Sequence, residues 1–489
     1  MKTRVFFHGL MYLICLVVFL VLPYDEHFIQ FAGDQQWLIS TAEQISHGKL
    51  IVMGHPSIHG PNHPGPLYLY FITIIYNICF QSIPATSLLL SAIKLSLLLY
   101  GLVNIFIIMG LNYKTAWIPA MLFMFQPLSS NYVSIIWAPA FSSFLLPFIY
   151  LTWFNFVHKK QLHYFRLLII LISVQVQTHY SQTGGMLVLG ISAAYVYLRS
   201  GKISLKLFMA HVLLATILWL PVLFDLINRG SNSNPYLLVK FVLGHKSVQD
   251  VQSVFAAYES LLASLLPFMD TRHAISGLII TLIALPIVFL KTKSKRHRIL
   301  AFLVVGQIII NFISISRSPV RIQFYFIYFN TIPLFLLIIY ALNLVIIMLL
   351  SKIKNSLSRA FVCSCPSKLN PSSLALVAFV IALIPLSQFY KLTLVNQWNR
   401  YHSYSALLHL GNLIETHSHA KPVFFQSRSA ELEGRVAAIL YIFQKKNIQF
   451  DYNSINAYYF YSNNQSASKC RCELIGEMDN IFVYYQKRL

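Results

Sequence analysis

Apolar runs of about twenty residues, the length a helix needs to cross the hydrocarbon layer of a bilayer, recur along this chain between short polar connections. They fall near 5–22, 86–110, 115–127, 138–157, 166–178, 183–199, 205–227, 274–290, 299–316, 323–350 and 373–390. The pattern predicts an α-helical polytopic membrane protein with about 11 transmembrane helices. The run at 5–22 follows Lys2 and Arg4, as a secretory leader would, but Pro23-Tyr24-Asp25-Glu26 stands where a small-residue cleavage site belongs. It therefore reads as a retained first span. Leu67 to Phe80 is apolar as well, yet short for a crossing and rich in tyrosine, and reads as a juxtamembrane helix lying in the interface.

Charge sorts by side in this arrangement. With the N-terminus inside, the inward connections carry Lys159 and Lys160, Lys202 and Lys206, and the cluster Lys291, Lys293, Lys295, Arg296 and Arg298. The outward connections are longer in total and carry far fewer basic residues, as the positive-inside rule requires. Every Asp and Glu falls outside, beginning with Asp25, Glu26, Asp34 and Glu43 in the first outer loop, 23–85. Chemistry is therefore expected on the outer face. The formal charge of +22 reflects this topology and attraction to anionic lipid, not nucleic acid.

Only 11% of the residues are charged and 57% are hydrophobic, against about a quarter charged in a soluble domain. That excludes a soluble globule and a disordered chain. Residues 1–390 form the transmembrane domain. From 391 to 489 the composition turns mixed, with helix-like stretches (Tyr404–Ile414, Leu432–Lys445) alternating with strand-like ones (Pro422–Gln426, Ile448–Tyr452, Asn480–Tyr485). This predicts a small extracytoplasmic α/β domain. Cys15 and Cys79 lie in apolar segments, Cys363 and Cys365 in an inner loop, and Cys470 and Cys472 too close together for an unstrained bridge, so no disulfide framework is present. No phosphate-binding glycine loop, nucleophile elbow or HExxH occurs.

The first outer loop carries the candidate chemistry. Gly33-Asp34-Gln35-Gln36-Trp37 opens an amphipathic run to His47-Gly48, with Trp37, Leu38, Ala42 and Ile45 on one helical face and Gln36, Glu43 and His47 on the other. The run is expected to lie along the membrane surface, with Asp34 just ahead of its first turn. As a residue type in that place, Asp34 suits a helix cap as well as a base. Lys94 stands alone in the otherwise apolar stretch Leu88–Gly110. A lone ammonium there needs an anion or must snorkel to headgroups. His55, His59 and His63 recur every four residues, but Pro56, Gly60, Pro61 and Pro64 prevent the helix that would align them on zinc.

Asn62-His63-Pro64-Gly65-Pro66-Leu67-Tyr68-Leu69-Tyr70, Trp137-Ala138-Pro139-Ala140 and Gln177-Thr178-His179-Tyr180-Ser181, together with Asp34 after the first span, resemble motifs of the GT-C glycosyltransferases. The branch is that of protein O-mannosyltransferases, lipid A aminoarabinose transferases and related bacterial proteins. The likeness covers roughly residues 1–200 in motifs and the rest in architecture. It implies inverting transfer of one sugar from a polyprenyl-phosphate carrier to a glycan, lipid or protein acceptor of the cell envelope, such as lipopolysaccharide, on the outer face of a bacterial inner (plasma) membrane. Asp34 then takes the acceptor proton, with Asp25 and Glu26 as rivals, and His63 orients donor or base. Lys94, Arg317 and Arg321 meet the carrier phosphate. Trp37, Tyr68, Trp137 and His179 line the substrates. Gln35 follows Asp34 where several relatives pair two acids, so the motifs demand no cofactor and leave a divalent metal open. A transporter or flippase of a lipid-linked sugar is the alternative, although no internal repeat of the kind such proteins carry is visible.

Overall fold

The protein is described by a computed structural model over residues 2–17, 20, 31, 33–55, 62–63, 65–124, 132–133, 135–179, 182–199, 205–233, 236–237, 283–284, 286–288, 295–316, 331–360, 404–418, 423–427, 440–442, 444, 456–461, 473–478 and 481–487. Helix α1 (Lys2–Leu16) leads to α2 (Gly33–Ser46) and α3 (Leu67–Ile78), then α4 (Ile83–Ile108), α5 (Trp117–Met124), α6 (Ala138–Lys159), α7 (Leu162–Thr178), α8 (Thr183–Arg199) and α9 (Leu205–Arg229). Helices α10 (Lys295–Ser316), α11 (Thr331–Ala360) and α12 (Tyr404–Ser418) follow. Among the described residues four stretches, 83–108, 138–159, 206–232 and 332–349, are by themselves long and apolar enough to cross a membrane, and the chain is an integral membrane protein. The α3 helix, with 12 residues, extends only about 18 Å at 1.5 Å per residue and is too short to cross.

The apolar stretch expected at 323–350 ends where the structure has it, at Leu349, but its helix is longer than the span. The helix runs on to Ala360 through Lys352, Lys354 and Arg359, with no proline or glycine to interrupt it. Of 274–290 only a few residues are described, and 373–390 lies outside the described residues.

Polar side chains stitch the spans together. Gln175 Nε2 donates to the Ser142 carbonyl at 3.0 Å and Gln177 Nε2 to the Leu218 carbonyl at 2.9 Å. Trp153 and Trp219 donate to Ser192 and Ser173 across other helix pairs at 2.8 and 3.0 Å. Each such bond contributes about 0.6 kcal/mol in a membrane, and together they fix helix rotation. Helices α4 and α6 approach closely at Gly101, where a Cβ would stand 2.7 Å from Pro147.

The amphipathic helix α2 buries Leu38, Ile39 and Ala42 completely, while Trp37 and Ile45 are only partly covered. Its apolar face therefore packs on protein, mainly α3, and not simply along a lipid surface. Glu43 comes out between the two helices, and its Oε1 accepts from Tyr76 of α3 and from Tyr441, both at 2.7 Å. A hydrogen bond cannot reach across a bilayer, so the segment around Glu43 and the chain around residue 441 share one side of the membrane.

Near the C-terminus, β1 (Phe424–Ser427), β2 (Asn456–Tyr461), β3 (Glu473–Met478) and β4 (Ile481–Lys487) form one sheet in the order β1-β2-β4-β3. The β1–β2 pair is parallel and the other two pairs are antiparallel. Expected strands at 422–426 and 480–485 fall on β1 and β4, and the expected helix at 404–414 falls on α12. The strand expected at 448–452 lies outside the described residues. Strands β2 and β3 were not expected: Asn and Ser flank the first, and a register shift between Leu474 and Gly476 interrupts the second.

Candidate active site

Asp34 is the second residue of α2, within its first turn and not ahead of it. Its carboxylate is 39% exposed. One oxygen, Oδ2, accepts from the Trp137 indole Nε1 at 2.9 Å, and the other, Oδ1, stands 3.7 Å from His55 Nε2. Trp137 has extended backbone and precedes the first turn of α6. Pro139 occupies that turn, where its missing N–H leaves nothing unsatisfied. The Trp-Ala-Pro-Ala motif thus ends an extended stretch, starts a span and brings an indole to Asp34.

The two histidines of the loop meet through main-chain pairing. His63 N donates to the His55 carbonyl at 2.9 Å, and Gly54 N donates to the His63 carbonyl at 3.2 Å. This sets the His55 and His63 rings 6.2 Å apart, with His179 a further 4.9 Å from His63 and Trp37 edge-on to His55 at 4.8 Å. Burial first, then His179 and His55, push the His63 imidazole well below the usual histidine range. It is therefore neutral at physiological pH and suits hydrogen bonding, not charge pairing. The glycine of the His-Pro-Gly-Pro motif has a steric reason: a Cβ on Gly65 would lie 2.1 Å from Gln177 Oε1. The first and third motifs touch at that point.

Asp34, Trp37, His63, Trp137 and His179 are thus gathered in one neighbourhood. Tyr68 is buried on α3 with its ring 5.1 Å from Phe141, and Tyr70 clasps the Ile51 backbone through its hydroxyl. Lys94, expected at a carrier phosphate, is completely buried and donates to the Tyr132 and Ile135 carbonyls. Arg317, Arg321, Asp25, Glu26, His59 and the cysteines from 363 onward lie outside the described residues, as do Tyr180 and Ser181 of the third motif. Among the described residues no group of three or more His, Cys, Asp or Glu is placed to share a metal ion. Sequence reasoning passed over His55 as a partner of Asp34, because regular spacing drew it into a zinc pattern. The paired loop backbone that positions it leaves no sequence signal.

These elements define an integral membrane protein with a carboxylate-centred polar cluster where the loop after α1 meets the ends of the helices α6 and α7. No known protein family and no curated protein matches the sequence. Among solved structures, the crystal structure of ArnT from Cupriavidus metallidurans bound to undecaprenyl phosphate aligns over 98% of this chain and 98% of that one, with a TM-score of 0.60 at 11% identity. The same protein in the apo state aligns over 99% and 98%, with a TM-score of 0.58 at 9% identity. The chain has the fold of ArnT.

Proposed function

We propose that this protein is an inverting glycosyltransferase that moves one sugar from a polyprenyl-phosphate carrier to a glycan, lipid or protein acceptor on the outer face of the bacterial plasma membrane. The observation that carries the reading is the Asp34 carboxylate, held by Trp137 through one oxygen while remaining 39% exposed. An acceptor hydroxyl attacks the anomeric carbon from the side opposite the phosphate. The bond from that carbon to the phosphate oxygen breaks, the acceptor proton passes to Asp34, and polyprenyl phosphate leaves. In this reading His63 and His55 orient the base, and Arg317 and Arg321 neutralise the departing phosphate. Trp37, Tyr68, Trp137 and His179 border the sugar. Residues 1–390 form the catalytic transmembrane domain and 391–489 an extracytoplasmic α/β domain.

The shared fold supports the donor class, since ArnT binds undecaprenyl phosphate in its crystal structure. The test is transfer by the purified protein in nanodiscs, with a synthetic polyprenyl-phosphate sugar as donor and envelope glycolipids as acceptors. Release of polyprenyl phosphate with appearance of an inverted glycoside is expected. Movement of intact donor across a bilayer without cleavage would instead make the protein a flippase.

A further inference from the structure

Ser91 and Lys94 lie three residues apart on α4 and reach the same stretch of main chain. Ser91 Oγ donates to the Val133 carbonyl at 2.6 Å, and Lys94 Nζ donates to the Tyr132 and Ile135 carbonyls at 2.9 and 2.7 Å. Both side chains are at 0% exposure. The Phe144 ring centroid, 5.8 Å from Nζ, lies close by. Val133 and Ile135 are themselves buried. Main-chain carbonyls buried among apolar helices need partners, and a lysine within a span pairs readily with such oxygens. Two residues beyond Ile135 stands Trp137, whose indole holds Asp34, and the Tyr132 ring meets the Trp137 ring edge-on at 5.5 Å.

We propose that Lys94 is a positioning residue: with Ser91 it fastens the carbonyls of Tyr132, Val133 and Ile135, and so places the Trp137 indole on the Asp34 carboxylate, instead of binding the carrier phosphate. The kinetic part of this inference rests on the glycosyltransferase reading, but the geometric part does not.

The test uses full-length protein in nanodiscs with 15N-labelled tryptophan. The Trp137 indole N–H resonance is assigned by its loss in Trp137→Phe. In Lys94→Met it is expected to move toward its position in Asp34→Ala, and in Ser91→Ala to move the same way by less. In transfer assays Lys94→Met should lower kcat by about tenfold to a hundredfold, as a misplaced base does, with the KM for donor within about twofold of the parent. A Trp137 resonance unmoved in both variants overturns the proposal, and so does an unchanged kcat with a raised donor KM, which would mark a phosphate ligand. Should Lys94→Met fail to fold, the resonance in Ser91→Ala decides alone. Because the resonance needs no donor, a parent protein without transfer activity would refute the enzyme reading and leave this one open to its own test.

Discussion

Replacing Asp34 with Asn keeps the size and shape of the side chain and removes its ability to take a proton. The amide oxygen can still accept from the Trp137 indole, now 2.9 Å from Oδ2, with the amide nitrogen turned toward His55. What α2 loses is the attraction between a carboxylate in its first turn and the positive end of the helix, about 0.3–1 kcal/mol. A general base contributes about two to four orders of magnitude, equivalent to about 2.7–5.4 kcal/mol of barrier at 1.36 kcal/mol per tenfold. The catalytic loss should therefore exceed the structural one several times over. Asp34→Asn is expected to insert, fold and bind donor, with transfer at least about a hundredfold down. Asp34→Ala, which also deprives the Trp137 indole of its acceptor, should lose a further 1–3 kcal/mol of stability, roughly the cost of an unmet polar group. Transfer in nanodiscs and thermal unfolding of the same preparations give both quantities. Near-normal transfer by Asp34→Asn would refute the assignment and pass the base role to Asp25 or Glu26.

Three other expectations rest on separate observations. Gly65→Ala should cost about 1–3 kcal/mol by overpacking against Gln177, and adding Gln177→Ala should return part of it; a double variant that melts no higher than the Gly65→Ala protein would contradict the contact. His63 has its folded pKa held low, so below about pH 6.5 the unfolded chain binds more protons than the folded one and stability falls as pH falls. Melting temperature should drop between about pH 7.5 and 5.5 and drop less in His63→Gln, whereas equal slopes in both proteins would remove His63 from the account. Reporter fusions after Lys160, Lys206 and Arg298 should signal the inner side, and fusions after Asp250 and at the C-terminus the outer side. An inner C-terminus would displace the carboxylates from the proposed face.

Hydrophobic run length made the four crossing-length helices among the described residues legible, because a bilayer imposes one dimension on every helix that crosses it. The site was legible in part through motifs: Asp34, His63, Trp137 and His179 are far apart in sequence yet meet, and the Gly65–Gln177 contact gives two of the motifs a shared steric origin. What sequence could not supply were the partners that belong to the main chain. Lys94 stood out as an amine in an apolar span, but every peptide bond offers the same carbonyl, so nothing in the residues near 132–135 marked them as its acceptors. The pairing of Gly54 and His55 with His63 is likewise written in backbone, not in side-chain type. Strand β3 escaped because its glycine and register shift break the alternation by which strands are read.

The bond from Tyr441 to Glu43 joins residues 398 positions apart, and that separation is also an interval of time. At about 5–20 residues per second, roughly 20–80 s of synthesis divide the appearance of the two groups. During it α2 and α3 are already made, with Tyr76 at hand and Tyr441 not yet synthesised. The helix that carries Asp34 in its first turn gains its second tyrosine only when nine-tenths of the chain has emerged. A nascent chain stopped before that point carries every motif of the first 200 residues and still leaves Glu43 with one tyrosine instead of two.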